Sequence, residues 1–308
     1  MEIAPKKVPI YTMPRVDQRN FFSGIFVKEA MRRQVIQLPQ HAPIDYCINR
    51  MIKYKISSIL LVDEKEQPAG VVTKTDIMGA FYAGLATRKA AENIMIGPVL
   101  FCYPDDELET ALDTMQQSGI HRLYVLGADA REVVGVLAYP DIIGLLYRYC
   151  RVCDKGFLKS RRRARQDDFN RLKVREVMTA EVISHAQDEN LAAVIEGLTD
   201  HRFGAVLIRD SQEHAVGVVS KSDLVVAYKH GVPVDARVSV VMGTPVHSCE
   251  AGADLAQAIQ LMLVKDVQRI FVRDDHLNDI VGILSLSDAA RSRSGTCRAC
   301  APSRLLRE

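Results

Sequence analysis

The chain has 308 residues, 48% of them apolar and 25% charged, and its formal net charge is +2. This length predicts two domains with a substantial core, and the near-neutral charge excludes a global field that would attract nucleic acid or an anionic membrane. No apolar run reaches the roughly 20 residues that cross a bilayer, and the first residues lack the apolar stretch of a secretory signal, so we expect a cytoplasmic protein.

The first predicted element in chain order is an amphipathic helix. Its apolar residues recur at i, i+3, i+4, i+7 and i+8, which places them on one helical face. They are Ile44, Cys47, Ile48, Met51 and Ile52. A nearly continuous apolar strand (59–62), a polar turn and a second strand follow, and they lead into a helix predicted over 77–83.

The same order of elements recurs three more times. The helix pattern returns at Leu108, Ala111, Leu112 and Met115, at Leu191, Val194, Ile195 and Leu198, and at Leu255, Ala258, Ile259 and Met262. Apolar strands follow at 123–126, 205–208 and 270–272, and final helices are predicted over 142–149, over 224–229 and from 289, each starting at an aspartate. A short apolar strand is predicted to open each repeat, for example at Val182-Ile183 and at Val246.

Strands with so few polar interruptions are buried on both faces. The helices of one repeat cover only one face of its small sheet, so the other face must be buried against a second repeat. We therefore predict an α+β fold of four β-α-β-β-α repeats that pair into two modules. The expected division is an N-terminal extension (1–26), module one (27–149, repeats 27–84 and 90–149), a basic linker (150–173), module two (174–292, repeats 174–230 and 236–292) and a C-terminal tail (293–308).

Two sequence markers define the repeats. A motif that starts with glycine and ends with aspartate occurs at 70–76, 135–141, 217–223 and 282–288, so that its aspartates are 65, 82 and 65 residues apart. Four methionines recur at nearly the same intervals, 64, 83 and 64 residues apart. They are Met31, Met95, Met178 and Met242. Four motifs in register resemble the cystathionine-β-synthase (CBS) domain family, and the resemblance covers 27–291.

The resemblance implies adenosyl ligands bound in the two clefts of each module, where the aspartate takes the ribose hydroxyls and the Ser or Thr faces phosphate. The residues that match these positions are Thr73, Asp76, Asp141, Ser220, Asp223, Ser285 and Asp288. A hydroxyl three residues before an acidic residue is also a helix capping box, which needs no ligand. The same helix N-terminus offers free N–H groups to a phosphate, so both interpretations stay open.

Repeat two departs from the motif. Ala138 replaces the hydroxyl residue, and Pro140 removes one N–H beside Asp141. A phosphate there would lose two donors. We therefore expect at most three usable half-sites.

Basic residues at the start of the second strand favour a phosphate-bearing ligand. His121-Arg122 and Gln268-Arg269 occur there in the even repeats, and in nucleotide-sensing CBS proteins, including the regulatory subunits of AMP-activated kinases, a His-Arg pair at this location contacts phosphate. Lys74 and Lys221, inside the motif, add charge from the odd repeats. The resemblance thus implies AMP, ADP or ATP as ligand, in preference to a cationic ligand such as S-adenosylmethionine.

Two Cys-x-x-Cys pairs occupy equivalent positions after the two modules. Together Cys150, Cys153, Cys297 and Cys300 have the number of thiolates that a four-cysteine metal site needs, and each pair also fits a redox-active or disulfide-prone role, but their spacing carries no finger signature. No metal is predicted, and no special role is the expected outcome. Cys47 is expected only to pack in the core. The basic block at 148–175 is interpreted as a solvated linker rather than a nucleic-acid site.

The chain contains no phosphate loop, zinc-protease motif or nucleophile elbow. We expect a non-catalytic regulator that senses adenine nucleotides and acts on an unidentified partner or through its own oligomer, with a homodimer as the expected state. The alternatives are a scaffold whose motifs only cap helices, and a metal- or redox-responsive protein that uses the four cysteines.

Overall fold

The computed structural model describes residues 22, 24–129, 132–148, 172–276 and 279–292. The chain enters repeat one through a short helix, α1 (Val27–Ala30). Repeat one then contains β1 (Gln37–Pro39), α2 (Ile44–Tyr54), β2 (Ser58–Val62), β3 (Pro68–Thr73) and α3 (Lys74–Tyr82). Repeat two contains β4 (Phe101–Cys102), α4 (Leu108–Gln117), β5 (Arg122–Leu126), β6 (Val133–Ala138) and α5, described over 139–148.

The second half of the chain repeats this order. Repeat three contains β7 (Ser184–Ala186), α6 (Leu191–Asp200), β8 (Ala205–Arg209), β9 (Ala215–Ser220) and α7 (Lys221–Lys229). Repeat four contains β10 (Ser248–Glu250), α8 (Leu255–Val264), β11 (Arg269–Arg273), β12 (Ile280–Ser285) and α9 (Leu286–Arg291). In every repeat the middle strand pairs parallel with the first strand and antiparallel with the third. The predicted α+β fold of four β-α-β-β-α units is confirmed.

The starts of the motif helices were predicted wrongly. The helices do not begin at the aspartate but two residues before it, at Lys74 in repeat one. The reason is that Thr73 is the N-cap and Asp76 is the third helical residue, whose carboxylate reaches back to the N-cap backbone. The opening strands lie slightly later than the apolar stretches: β7 begins one residue after Ile183 and β10 begins two residues after Val246, and these apolar residues pack against the cores.

The middle strands are buried on both faces, as predicted. In β2, Ile59 and Leu61 face the core beneath the helices, whereas Leu60 packs against Tyr124 and Val136 of repeat two in a core between the two sheets. Module two has the equivalent core between sheets, formed around Leu207, Phe271 and Ile283. Burying the second sheet face against a neighbour therefore pairs repeat one with two and repeat three with four.

The helices join the two modules. Apolar residues of repeats one and three form one continuous core, and those of repeats two and four form the other. Phe81 of α3 stacks on Tyr228 of α7 with ring centroids 5.1 Å apart, and the Tyr228 hydroxyl donates to the carbonyl of Leu85. Each repeat thus shares one core through its sheet and another through its helices, which places the four motif helices around a common centre. Among the described residues, no helix combines the length and the apolar character needed to cross a membrane.

The two sequence markers contact each other across each module. A Cβ added at Gly70 would lie 2.9 Å from Sδ of Met95, so only glycine leaves room for this methionine of the partner repeat. The other three pairs are equally close: Met31 on Gly135, Met242 on Gly217 and Met178 on Gly282. The residue after each methionine then makes two backbone hydrogen bonds with the residue after the partner glycine, as Ile96 does with Val71 at 2.9 Å in both directions.

The contact between Gly70 and Met95 predicts a large difference between two glycine substitutions in repeat one. Gly70→Ala should destabilise the protein by about 1–3 kcal/mol, because the new methyl group overlaps the Met95 sulfur. Gly79→Ala in α3 is the matched control, since a Cβ there meets no atom within 4 Å and alanine is the better helix former by about 1 kcal/mol. Urea unfolding of both variants checks this, and equal midpoints would contradict it. Met95→Ala combined with Gly70→Ala should recover part of the loss.

Candidate functional site

Three of the four motifs form complete capping boxes. In repeat one the backbone N–H and the hydroxyl of Thr73 both donate to Oδ2 of Asp76, each at 2.7 Å. In repeat three Ser220 makes the same two bonds to Asp223 at 2.7 Å. In repeat four Ser285 donates to Asp288 at 2.9 Å from its N–H and at 2.5 Å from its hydroxyl. These hydroxyls fix the aspartates at the starts of α3, α7 and α9.

The capping bonds occupy only one oxygen of the Asp76 and Asp223 carboxylates. Oδ1 of each lies outside the capping box, and both side chains are half-buried. Burial raises the pKa of Asp76, opposed by the Thr73 hydrogen bonds and by the charge of Lys221. A carboxylate held by one oxygen at a helix N-terminus can still accept a hydroxyl pair of a ligand on the other.

Repeat two is built differently, as the sequence predicted. Without a hydroxyl at Ala138, only its backbone N–H donates to Oδ2 of Asp141, at 2.9 Å. Oδ1 of Asp141 is paired with Nε of Arg32 at 2.8 Å. Burial raises the pKa of Asp141, and the nearby charge of Arg32 opposes that rise. Both carboxylate oxygens of this motif are therefore occupied by the protein itself.

The two strand arginines cross from the even repeats into the odd ones. Arg122 donates to the carbonyl of Ser58 at 3.3 Å and to the hydroxyl of Ser57. Arg269 donates in the same way to the carbonyl of Gly204, where a Cβ would lie 2.0 Å from its guanidinium nitrogen. Burial lowers the pKa of both arginines, and the charges of Asp141 and Asp288 counteract this for Arg122 and Arg269 respectively.

Two motif lysines bridge the modules at the centre. Nζ of Lys74 donates to the hydroxyl of Ser222 at 2.7 Å, and Nζ of Lys221 donates to the hydroxyl of Thr75 at 2.9 Å. Burial, and then the charges of Arg269 and Arg122, lower the pKa of Lys74 to about 8. Burial and Arg269 also lower the pKa of Lys221.

His121 and Arg291 complete this group from repeats two and four. Nε of Arg291 donates to the Tyr139 hydroxyl at 3.2 Å, and its guanidinium lies 5.1 Å from the centre of the Tyr139 ring. The His121 ring packs edge-on against Tyr139, with ring centroids 5.5 Å apart. Burial, and then Arg291 and Lys221, lower the pKa of His121 to about 4. The residue as a whole retains accessible surface.

We call these six side chains the central basic cluster, since they come from all four repeats and their charges act on one another: Lys74, His121, Arg122, Lys221, Arg269 and Arg291. The four motif aspartates surround it, because Asp76, Asp141, Asp223 and Asp288 each interact electrostatically with at least one of its members. Positive charges gathered beside helix N-termini favour an anion electrostatically.

The sequence-predicted site residues are therefore brought together, while their roles as ligand contacts stay a prediction. Sequence reasoning missed two members of the arrangement. Arg291 could have been found as a basic residue one helical turn after a motif aspartate, a position held by Gly79, Gly144 and Val226 in the other repeats. Arg32 follows a marker methionine, but nothing in the sequence indicated that this position faces the motif of another repeat.

The remaining candidates from the sequence contribute little to this site. Cys150, Cys153, Cys297 and Cys300 lie outside the described residues, as does most of the basic linker. Cys47 is fully buried in the core, and burial raises its pKa to about 11. Within the described part of the chain, no group of three or more His, Cys, Asp and Glu side chains could hold a metal ion.

The fold and its clefts define a protein of four paired α+β repeats with capped, half-buried aspartates around a basic centre. A family model described as "CBS domain" matches residues 27–83, 91–148, 174–230 and 238–295. The chain belongs to the CBS domain family, and its four domains form two Bateman modules.

Several known proteins are similar to this chain. Uncharacterized protein MJ1225 of Methanocaldococcus jannaschii is 22% identical over 209 residues, which cover 67% of this chain and 72% of that protein. Its crystal structure, whose description proposes an archaeal homologue of g-AMPK, matches with a TM-score of 0.70 and 16% identity over 86% of this chain and 99% of that one. An uncharacterized conserved protein from Pyrococcus horikoshii matches with a TM-score of 0.55 and 17% identity, covering 86% of this chain and 98% of that one.

An enzyme also shares part of this sequence. Homoserine O-acetyltransferase of Methanosarcina acetivorans is 25% identical over 131 residues, which cover 42% of this chain but only 24% of the enzyme. The matched region is thus a minor part of that protein.

The central basic cluster predicts an unusual titration of Lys74. Its side chain should titrate near pH 8, because burial and the neighbouring arginines disfavour its charged form. NMR of protein labelled with ¹³C-lysine, with the signal assigned by Lys74→Arg, measures this midpoint. Added inorganic phosphate should raise it, since an anion favours the charged lysine. A midpoint of 10 or higher without phosphate would contradict the clustering.

Proposed function

We propose that this protein is a non-catalytic sensor that binds adenine nucleotides (AMP, ADP or ATP) in the clefts between paired repeats and passes the binding event to a partner protein or to its own oligomer. The observation that carries the proposal is the central basic cluster, in which cations from four repeats converge beside carboxylates held by capping boxes. The carboxylates suit a ribose diol, and the cations suit phosphate.

The balance of charge supports a phosphate-bearing ligand over a cationic one. At an effective dielectric constant near 20, two unit charges about 4 Å apart interact by roughly 4 kcal/mol. Lys74 and Lys221 bring positive charge to the clefts of Asp223 and Asp76 respectively, from the opposite module. A phosphate gains from these charges, whereas the sulfonium of S-adenosylmethionine would be repelled by them.

The geometry also supports transmission of the binding event. Lys74 and Lys221 hold the modules together through hydroxyl acceptors, and Arg122 and Arg269 hold the paired sheets together. A phosphate that recruits any of these cations competes with a contact between repeats. The ligand would then have different affinities for two arrangements of the repeats, which is the requirement for coupling to a second site.

Aspartate substitutions test the proposed clefts. Asp223→Asn and Asp288→Asn should each weaken AMP binding about ten- to a hundredfold where that cleft is occupied, because each loses a charged acceptor worth about 1.5–3 kcal/mol. Asp266→Asn is the control, since this exposed carboxylate lies at the end of α8 and pairs with Lys55. Isothermal titration calorimetry measures the affinities and the number of sites.

A scaffold without a ligand is the competing function, favoured by the capping boxes themselves. If the protein is a scaffold, the aspartate variants should lose stability, and added nucleotide should leave their melting temperatures unchanged. Thermal unfolding separates the two, because a ligand at a hundred times its dissociation constant stabilises the folded state by about 2.7 kcal/mol. Wild-type protein whose melting temperature is unchanged by millimolar AMP, ADP and ATP would support the scaffold and exclude the sensor.

The pH dependence of binding gives a second test of the sensor. As pH rises from 7 to 9.5, Lys74 loses its proton in the free protein, so AMP affinity should fall by up to about tenfold per pH unit above pH 8. Lys74→Met should bind more weakly at pH 7 and show a shallower dependence. Affinity that is independent of pH in both proteins would contradict a phosphate position beside Lys74.

A further inference from the structure

The position after each marker methionine lies at the motif of the partner repeat. The backbone of Arg32 exchanges two hydrogen bonds of 2.9 Å with Val136, which lies between the motif glycine and aspartate of repeat two. The equivalent residues of the partner repeats make the same bridge in the other three clefts: Ile96 in the repeat-one cleft, Gly243 in the repeat-three cleft and Thr179 in the repeat-four cleft. The four clefts can therefore be compared at a single position.

Only the repeat-two cleft has a charged side chain at that position. Arg32 reaches Asp141, and the pair joins Nε and Oδ1 at 2.8 Å. In the described chain, no hydrogen bond or ion pair joins Ile96 to Asp76, Gly243 to Asp223 or Thr179 to Asp288. The Asp141 side chain is only 9% exposed, so its carboxylate interacts with protein atoms far more than with water.

Arg32 also lines two cavities. The first is a narrow cavity of about 20 Å³, which has room for about one water molecule and is lined by Arg32, Ile36, Ser58, Arg122 and Tyr124 among others. The second is an open cavity of about 330 Å³ along α5, lined by Arg32, Pro140, Asp141 and Gly144 among others. Arg32 and Asp141 thus line the larger cavity together, and the carboxylate there is already paired with the guanidinium.

We infer that Arg32 is a built-in plug, an internal cation that occupies the Asp141 carboxylate and closes the repeat-two cleft to nucleosides. A ribose hydroxyl pair carries no positive charge, so displacing the guanidinium would give up the Coulomb attraction between Arg32 and Asp141 in addition to their hydrogen bond. Repeat two also lacks the hydroxyl that the other motifs have at the position of Ala138, and Pro140 has no N–H to donate. The cleft therefore offers fewer donors to a ligand, and its aspartate is paired with a residue of the protein. This inference rests on the proposed function for the chemistry of the ligand, and it makes Arg32 the residue that sets the number of open clefts.

Removal and transfer of the plug test this inference. Arg32→Thr installs the residue type that Thr179 supplies to the repeat-four cleft, and it should add one site for adenosine and AMP in calorimetry. Arg32→Thr with Asp141→Asn should lose that added site. Thr179→Arg transfers the plug to the repeat-four cleft and should remove one site if that cleft is occupied in the wild type. Arg33→Thr, one residue further along the same exposed segment, is the control and should change nothing.

The outcomes distinguish this inference from the proposed function. If wild-type protein binds AMP and Arg32→Thr adds no site, the plug is wrong and the sensor stands. If Arg32→Thr loses a site, Arg32 binds the ligand and the plug is likewise wrong. If wild-type protein binds no nucleotide, the sensor fails, and a site for adenosine that appears only in Arg32→Thr would still support the plug, whereas its absence would overturn it.

Discussion

The architecture depends on the exchange of methionine segments between paired repeats. Each segment enters beside a glycine of the partner strand because no other residue leaves space for the methionine sulfur, and two backbone hydrogen bonds then fix its register. The exchange is reciprocal, so neither repeat of a module completes its own sheet surface. One consequence is geometric: the residue after each methionine belongs to the partner's cleft. Every cleft is therefore built from two repeats.

The packing of the two modules against each other gathers positive charge at the centre of the protein. Packing α3 against α7 buries apolar faces but also brings four helix N-termini and six basic side chains around one point. At neutral pH His121 is uncharged, because its pKa falls to about 4, whereas Lys74, with a pKa of about 8, still carries most of its charge. Part of the positive charge is balanced by the motif aspartates and by hydroxyl and carbonyl acceptors. An anion would complete this balance, which ties the proposed ligand to the way the modules pack.

Much of the fold followed from the sequence because local patterns determine it. The apolar periodicity of α2 and the continuous apolar strand β2 reflect burial within one repeat, and the second buried face of that strand required pairing. The error at α3 came from placing Asp76 at the helix start, although a capping box places the hydroxyl there. The site was less predictable: that Arg122 and Arg269 reach Ser57 and Gly204 depends on the pairing of sheets, and the contact of Arg32 with Asp141 depends on the exchanged segment. Neighbours fixed by three-dimensional packing leave no periodic signal.

Arg32 also makes the two clefts of module one unequal, although Arg122 and Arg269 join the paired sheets in the same way in both modules. Arg269 comes from repeat four but its guanidinium is bonded to the carbonyl of Gly204 in repeat three, so a phosphate in either cleft competes for a group that already joins the two sheets. A charged acceptor is stronger than a carbonyl, and the protein loses one contact between repeats when the ligand gains it. In module one the same competition is confined to the Asp76 cleft, because Arg32 occupies the Asp141 carboxylate. Under the proposed function, a ligand bound there would act on one side of a pseudo-symmetric pair, and such an asymmetric contact would favour rotation of one repeat relative to the other.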